Sequence, residues 1–450
     1  MFIRLSRGSS TIVALCLLTL PVVTLADAVI AGPLAPGAVT TVADSYTLHQ
    51  LIEQARRNNR DLQAARFAVD VARTRLTQAG ARPNPHLELG ARSDFLFRNE
   101  GEYGTSIGIS QQFPVTDRIS RQQDVAQADI AVAQAEVADA ERRLAGEIAA
   151  DVYHLLVLDR QIQSKADLIT LEDKLARTTR ARYKAAEVSE LDVNAVQLGQ
   201  QQLEQERRLL QSQRQTLLTG LNTRLGRPAG ATLSIAEPLP ETEALPPLEQ
   251  LQTKGLSARE DLHSAQLDSD RARAAKALAM SQRWEDWNAG VAVTQDQAVI
   301  DGAPSQPNSH AIQVSVSIPL PLFNKNQGQI AEAEASGDQA RAHADALRLA
   351  IAGEISSAWD EASSIQQQLG QYRQSLFPVS ARSVQLAQKG YADGLASILE
   401  VLQAQRQQAD LNAAYLNTLD QFLQALVRLH TAVGDYISAP ANPDTDHKDS

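Results

Sequence analysis

Cysteine is all but missing from the sequence: Cys16 is the only one, and it lies in an apolar run near the N-terminus. A disulfide framework and a thiolate metal site are both excluded. Aromatic residues make up only 4% of 450 residues. That is thin for a conventional globular core, because aromatics supply so much buried area. Positive charge is also short. Lys and Arg number 42 against 53 Asp and Glu, a formal charge of −11, which argues against a nucleic-acid partner. His49, His86, His154, His263, His310, His343, His430 and His447 are scattered, with no HExxH or other ligand spacing, so no metal site is expected. His86 and His310 each open a predicted strand, and a membrane interface suits them better than a metal. No phosphate-loop spacing accompanies any glycine. Neither an enzyme activity nor a cofactor is expected.

Ala and Gln are abundant instead, a composition for long, closely packed helices. Arg4 and Arg7 precede an apolar run from Ile12 to Leu25, and Ala26 and Ala28 supply small residues for cleavage. Residues 1–28 are therefore expected to be an export signal peptide. Leu15 is too bulky before Cys16 for a lipoprotein site, so no lipid anchor is expected.

The chain duplicates itself. At an offset of 200, Leu48, Leu51, Asp61, Leu62, Ala65, Asp70, Ala72, Arg73, Ala79 and Gly90 all recur unchanged. The offset then drifts to 207 at Glu147-Ile148 and Glu354-Ile355, and to 208 at Tyr183 and Tyr391. Chance gives two or three identities in such a window, so duplication is the strong reading. The first repeat spans 46–225 and the second 248–434. A Pro-rich linker, "GRPAGATLSIAEPLPETEALPP", covers 226–247, and 435–450 reads as a terminal tail.

Each repeat reads helix, two strands, very long helix, turn, helix. The first helix is predicted from about Tyr46 to Arg82, ending at "RPNP", where Pro83 and Pro85 forbid continuation. Leu87, Leu89 and Ala91, then Phe95 and Phe97, alternate with polar neighbours, as do Ile107, Ile109 and Phe113. Trp287, Ala289, Val291 and Val293, then Val314, Val316 and Ile318, repeat that two-residue period. Strands of about ten residues cross a bilayer when tilted. Apolar residues also fall at steps of seven: Ile148, Leu155, Ile162, Ile169, Ala176 and Tyr183, with Ile355, Ala362, Leu369, Leu376, Ser383 and Gly390 in the second half. Such heptads predict helices packed as coiled coils. The first long helix should run from about Arg118 to Glu187, and Pro378 should kink its counterpart.

Four strands cannot close a membrane barrel, which needs about eight, and an open edge is intolerable in lipid. Several chains must then pool their strands, and three would give about twelve. Pro114, Pro319 and Pro321 mark where strands would leave the bilayer and bend into helices. The same strands also suit a small sheet packed on soluble helices.

At this point the residues carry a resemblance. From Tyr46 to Gly434 the sequence resembles the TolC-like outer-membrane factors, trimeric exit ducts of Gram-negative efflux and secretion systems. "ARPNPHLELG" and "SIPLPLFNKNQGQIAEA" are most similar to the CzcC-like branch, which serves heavy-metal pumps of the RND class. "YKAAEVSELDVNAVQ" and "YADGLASILEVLQAQ" resemble the family's two helix-turn-helix tips. The resemblance implies a mainly α protein with a membrane β-barrel, twelve-stranded in a homotrimer and joined to a periplasmic coiled-coil tunnel. The linker and C-terminal region would belt that tunnel. It also implies an outer-membrane location, a periplasmic membrane-fusion adaptor and an inner-membrane RND pump. The adaptor would dock on Tyr183, Ser189, Leu191, Asp192, Tyr391, Gly394, Ser397, Leu399 and Glu400. A plainer role for Leu191 and Leu399 is to close the apolar end of each hairpin. Ala185-Ala186-Glu187 stands where the family often has a glycine-containing turn, which puts that turn's shape in question. Drug efflux and type I protein secretion fit the same duct. A structural coiled-coil surface protein fits the heptads but not the paired strands.

Overall fold

The computed structural model describes residues 45–94, 101–240, 244–299, 302, 304 and 307–435. The expected signal peptide, Phe95 and Phe97, and the tail beyond Asp435 lie outside the described residues. A two-residue strand, β1 (Ser45–Tyr46), leads into α1 (Leu48–Asn58) and α2 (Arg60–Ala79), where the sequence predicts one helix. Asn59 makes the difference. Its backbone is extended, and its side-chain oxygen accepts from the Leu62 N–H at 2.9 Å, so it ends one helix and caps the next.

β2 (His86–Ser93) and β3 (Tyr103–Phe113) follow, then α3 (Arg118–Lys184) and the returning α4 (Glu190–Arg224). At 67 residues, α3 is a rod on the order of 100 Å. The linker contributes β4 (Ser234–Ile235), which pairs in parallel with β1. The second half gives α5 (Leu248–Ala258), α6 (Glu260–Ser281), β5 (Trp287–Gln297) and β6 (Ser309–Ser317). It continues through α7 (Gln327–Gln371), a π turn (Tyr372–Leu376), α8 (Phe377–Ala392) and α9 (Ile398–Val433). The break between α5 and α6 falls at Arg259, again extended and 200 residues after Asn59.

The four long strands form one antiparallel sheet in the order β2-β3-β5-β6, so β3 and β5 join the repeats edge to edge. At the sheet's helical end, Arg118 donates to the buried Asp286 at 2.9 Å, tying the start of α3 to the entry of β5. The main core lies where α1, α3, α4, α7 and α9 meet, around Leu51, Ile148, Leu155, Leu221, Leu369, Phe422 and Leu423. The linker is fastened there. Leu233 is buried in that core, Glu237 accepts from the Leu48 N–H at 3.0 Å, and Trp359 Nε1 donates to Pro246 O at 2.9 Å.

The heptad stripe of the second half holds only as far as Leu369. Leu376 and Ser383 are exposed, and Val384 is buried in their place. The cause is the π turn, which inserts one residue into the helical ladder and rotates everything beyond it. This is the residue by which the repeat offset grows from 207 to 208. Where Pro378 predicts a kink, the irregularity is therefore a π turn ending just before it. Phe377, Tyr372 and Tyr415 of α9 pack there, with ring centroids 5.2 to 6.2 Å apart.

Candidate functional site

Two surfaces stand out, one at each end of α3. The first is a face of the sheet. The register sets Leu87, Ile109, Val291 and Val314 in one row across all four strands, and Leu89, Ile107, Val293 and Ile312 in the next. All eight side chains are exposed. The opposite face carries Glu88, Gly108, Ala292 and Gln313 in one row, and Gly90, Ser106, Thr294 and Ala311 in another. Those small residues are needed for space: a Cβ on Gly108 would come 2.7 Å from the Ala292 Cβ. Pro114 directly follows β3, and Pro319 and Pro321 stand in the segment between β6 and α7.

The second surface is the pair of turns joining α3 to α4 and α8 to α9. Both end their first helix in the same way. The N–H groups of Ala186 and Glu187 reach back to the carbonyls of Tyr183 and Arg182 at 2.9 Å each. Those of Gly394 and Leu395 reach Tyr391 and Gly390 at 3.3 and 2.7 Å. That is a Schellman motif, which requires positive φ at its pivot. Gly394 adopts 75° freely, and Ala186 adopts 60° in spite of its Cβ. The turn left in question by the Ala-Ala-Glu segment thus has the shape of its glycine-containing partner.

Both second helices open with a capping box. Ser189 Oγ accepts from the Asp192 N–H at 3.3 Å while Asp192 accepts from the Ser189 N–H at 2.9 Å. Ser397 and Glu400 do the same at 3.3 and 3.0 Å. These four predicted site residues therefore shape the turns. Of the predicted site residues, the exposed aliphatic ones are Leu191 at 74% and Leu399 at 54%, while Ile398 and Val401 are buried beside them. Tyr183 is exposed, and Tyr391 is half-buried with the Arg182 guanidinium 4.3 Å from its ring centre. The sequence reading misses two residues here. Arg182 links the two turns, and Leu395, 85% exposed, sits directly after the pivot glycine. An apolar residue following glycine at a helix end is the signal for the latter.

Between these surfaces α3 and α9 run antiparallel and are cross-bonded. Gln424 donates to Ala150 O at 2.9 Å, His154 Nδ1 meets Asp420 at 2.9 Å, Gln161 donates to Asn417 at 2.8 Å, and Asn412 donates to Ser164 at 2.7 Å. The hydrogen bond to Asp420 raises His154 above its ordinary pKa, against the opposing effect of burial. Burial lowers His430, with Asp435 opposing and Lys254 adding. Among the described residues no cluster of His, Cys, Asp or Glu could hold a metal, and no helix is long and apolar enough to cross a membrane.

A family model described as outer membrane efflux protein matches residues 51–227 and again 251–435, once for each repeat. No curated protein matches the chain in sequence. Among solved structures, VceC from Vibrio cholerae superposes with a TM-score of 0.66 at 19% identity, over 86% of this chain and 96% of its own. The CmeC outer membrane channel of Campylobacter jejuni gives 0.68 at 13%, over 92% and 94%. CusC, described in terms of transmembrane channel formation, gives 0.70 at 17%, over 89% and 95%.

Proposed function

The chain belongs to the outer membrane efflux protein family, whose members are channels rather than enzymes, and from that premise we propose that it is the exit duct of a three-part pump exporting divalent heavy-metal cations. One observation carries the duct reading: a continuous apolar face across four strands, backed by a polar and small-residue face. A soluble sheet packed on helices would bury that apolar face, and a lipid-facing barrel exposes it. Three chains closing one ring supply twelve strands, so the working form is a homotrimer. The paired turns, with Leu191, Leu395 and Leu399 outward, dock a periplasmic membrane-fusion adaptor, and an inner-membrane RND pump supplies the energy. Replacing Leu191 and Leu399 by Asp should abolish export while leaving trimer yield unchanged. Loss of the trimer would instead assign both leucines to packing.

The cargo reading rests on the segments at Arg82 to Gly90 and Ser317 to Ala333, which are similar to the CzcC-like heavy-metal branch. The acidic balance helps weakly, since salt screens such fields beyond ~8 Å. The test removes the gene and compares growth in cobalt, zinc or cadmium with growth in drugs and detergents. Sensitivity to metals alone supports the reading. Sensitivity to drugs and detergents alone keeps the duct and changes its cargo.

A further inference from the structure

We propose that α8 of one copy packs on α4 of the next, with Val379 against Leu198. This seam rests on the homotrimer reading and supplies the helical contact between its copies. Within one chain, α4 packs on α3, α3 on α9 and α9 on α8, so α4 and α8 are the two flanks of the bundle that ends in the paired turns. Each flank leaves apolar side chains in water. Leu198 and Leu209 on α4, and Val379 and Leu386 on α8, are all more than half exposed. Eleven residues make about three helical turns and seven about two, so each pair shares one face of its helix.

The duplication identifies what covers these faces. α3 belongs to the first repeat and α9 to the second, so their contact is a joint between repeats inside the chain. In a ring of equal steps the next joint sets α8, the counterpart of α3, against α4, the counterpart of α9, and that α4 belongs to another copy. The correspondence near the turns is 208 residues, from Tyr183 to Tyr391 and from Ser189 to Ser397. The joint inside the chain is antiparallel, with Gln161 donating to Asn417 and Asn412 to Ser164. Seven residues beyond Ser164 on α3 and six before Asn412 on α9, Leu171 and Arg406 line one cavity. Carried over 208 residues, Leu171 becomes Val379 and Arg406 becomes Leu198. The inner joint therefore sets the two exposed flank residues opposite each other. Charge agrees with the apolar match. α8 carries Arg382 and Lys389 and no acidic residue, whereas the stretch of α4 from Glu190 to Glu206 carries Glu190, Asp192, Glu204 and Glu206 and no basic residue. Flanks of opposite sign attract each other and favour this pairing over α4 on α4 or α8 on α8.

The test combines Leu198→Cys with Val379→Cys in the full-length chain, in a Cys16→Ser background, and oxidises the protein purified from membranes. A covalent trimer on non-reducing gels, reversed by thiol, is expected. Leu198→Cys copies coexpressed with Val379→Cys copies should give a covalent dimer, which no bond within one chain can produce. Leu198→Cys with Leu386→Cys is displaced by seven residues, about 10 Å along α8, and should cross-link at least tenfold less. A protein that is trimeric by native mass while the first pair stays unlinked overturns the seam and keeps the homotrimer. A protein that is monomeric by native mass overturns both. A link confined to one chain overturns the seam, and equal linking by the displaced pair overturns the match of Val379 with Leu198.

Discussion

Ala186 holds the first turn in a conformation its side chain disfavours, whereas Gly394 holds the matching turn without strain. Ala186→Gly should therefore stabilise its turn by up to about 1 kcal/mol, and Gly394→Ala should weaken the other by a similar amount. Slower amide exchange at Glu187 in the first variant and faster exchange at Leu395 in the second would bear this out; opposite changes would not. Two histidines make a second prediction at this scale. His154, raised by Asp420, contributes stability that is full below the ordinary value of 6.5 and lost as pH rises through the raised one. His430, lowered by burial, penalises the fold as pH falls below 6.5, where the unfolded chain takes up the proton more readily. Relative to the parent, His154→Gln should lose stability mainly at the acid end of a pH 5 to 8 series, and His430→Gln should gain it there. Thermal unfolding curves whose differences are flat with pH would contradict both. The capping boxes at Ser189 and Ser397 are legible as Ser-x-x-Asp and Ser-x-x-Glu. The strained pivot is not, because alanine ordinarily argues against a left-handed turn.

The elements differ in how plainly the sequence announces them. The strands are legible because period-two alternation runs through the middle of β3, β5 and β6, at Ile107 and Ile109, Val291 and Val293, and Ile312, Val314 and Val316. The break at Asn59 is not, since neither proline nor glycine marks it, and its counterpart Arg259 shares no side-chain chemistry with it. What Asn59 does by capping, Arg259 does by reaching across to Asp261, Glu354 and the Ala432 carbonyl, the last at 3.1 Å. The π turn is half legible: the offset step from 207 to 208 reveals an extra residue but not how the helix absorbs it. Its presence gives a prediction. Deleting Gln374 would leave Leu369 and Val384 fourteen residues apart, two whole heptads, so the apolar stripe stays aligned with a regular α-helix throughout. Deleting Thr170 from uninterrupted α3 would instead rotate half that helix off its partners. Unfolding temperature should stay near the parent's for the first deletion and fall sharply for the second; equal losses would deny the π turn its role as an inserted residue.

At the scale of the whole molecule, the sheet's direction matters as much as its faces. Four antiparallel strands leave β2 and β6 as the chain's two edges among the described residues, pointing opposite ways. β6 of one copy can therefore meet β2 of the next without breaking the alternation, as the proposed ring requires. Val314 lies near the middle of β6 on the apolar face and Gln313 beside it on the other. Val314→Arg should cost about 2–4 kcal/mol per chain at the bilayer midplane and depress recovery of assembled trimer from membranes. Gln313→Arg, on the polar face, should assemble at nearly the parental yield, and the reverse order would invert the faces. The two halves also differ mechanically. α3 is an unbroken strut, while its counterpart is two shorter bars, α7 and α8, jointed at the π turn. Compliance in such a frame concentrates at the joint. A sideways load on the paired turns will flex α8 and α9 first, with α3 and α4 acting as the fixed post against which they swing.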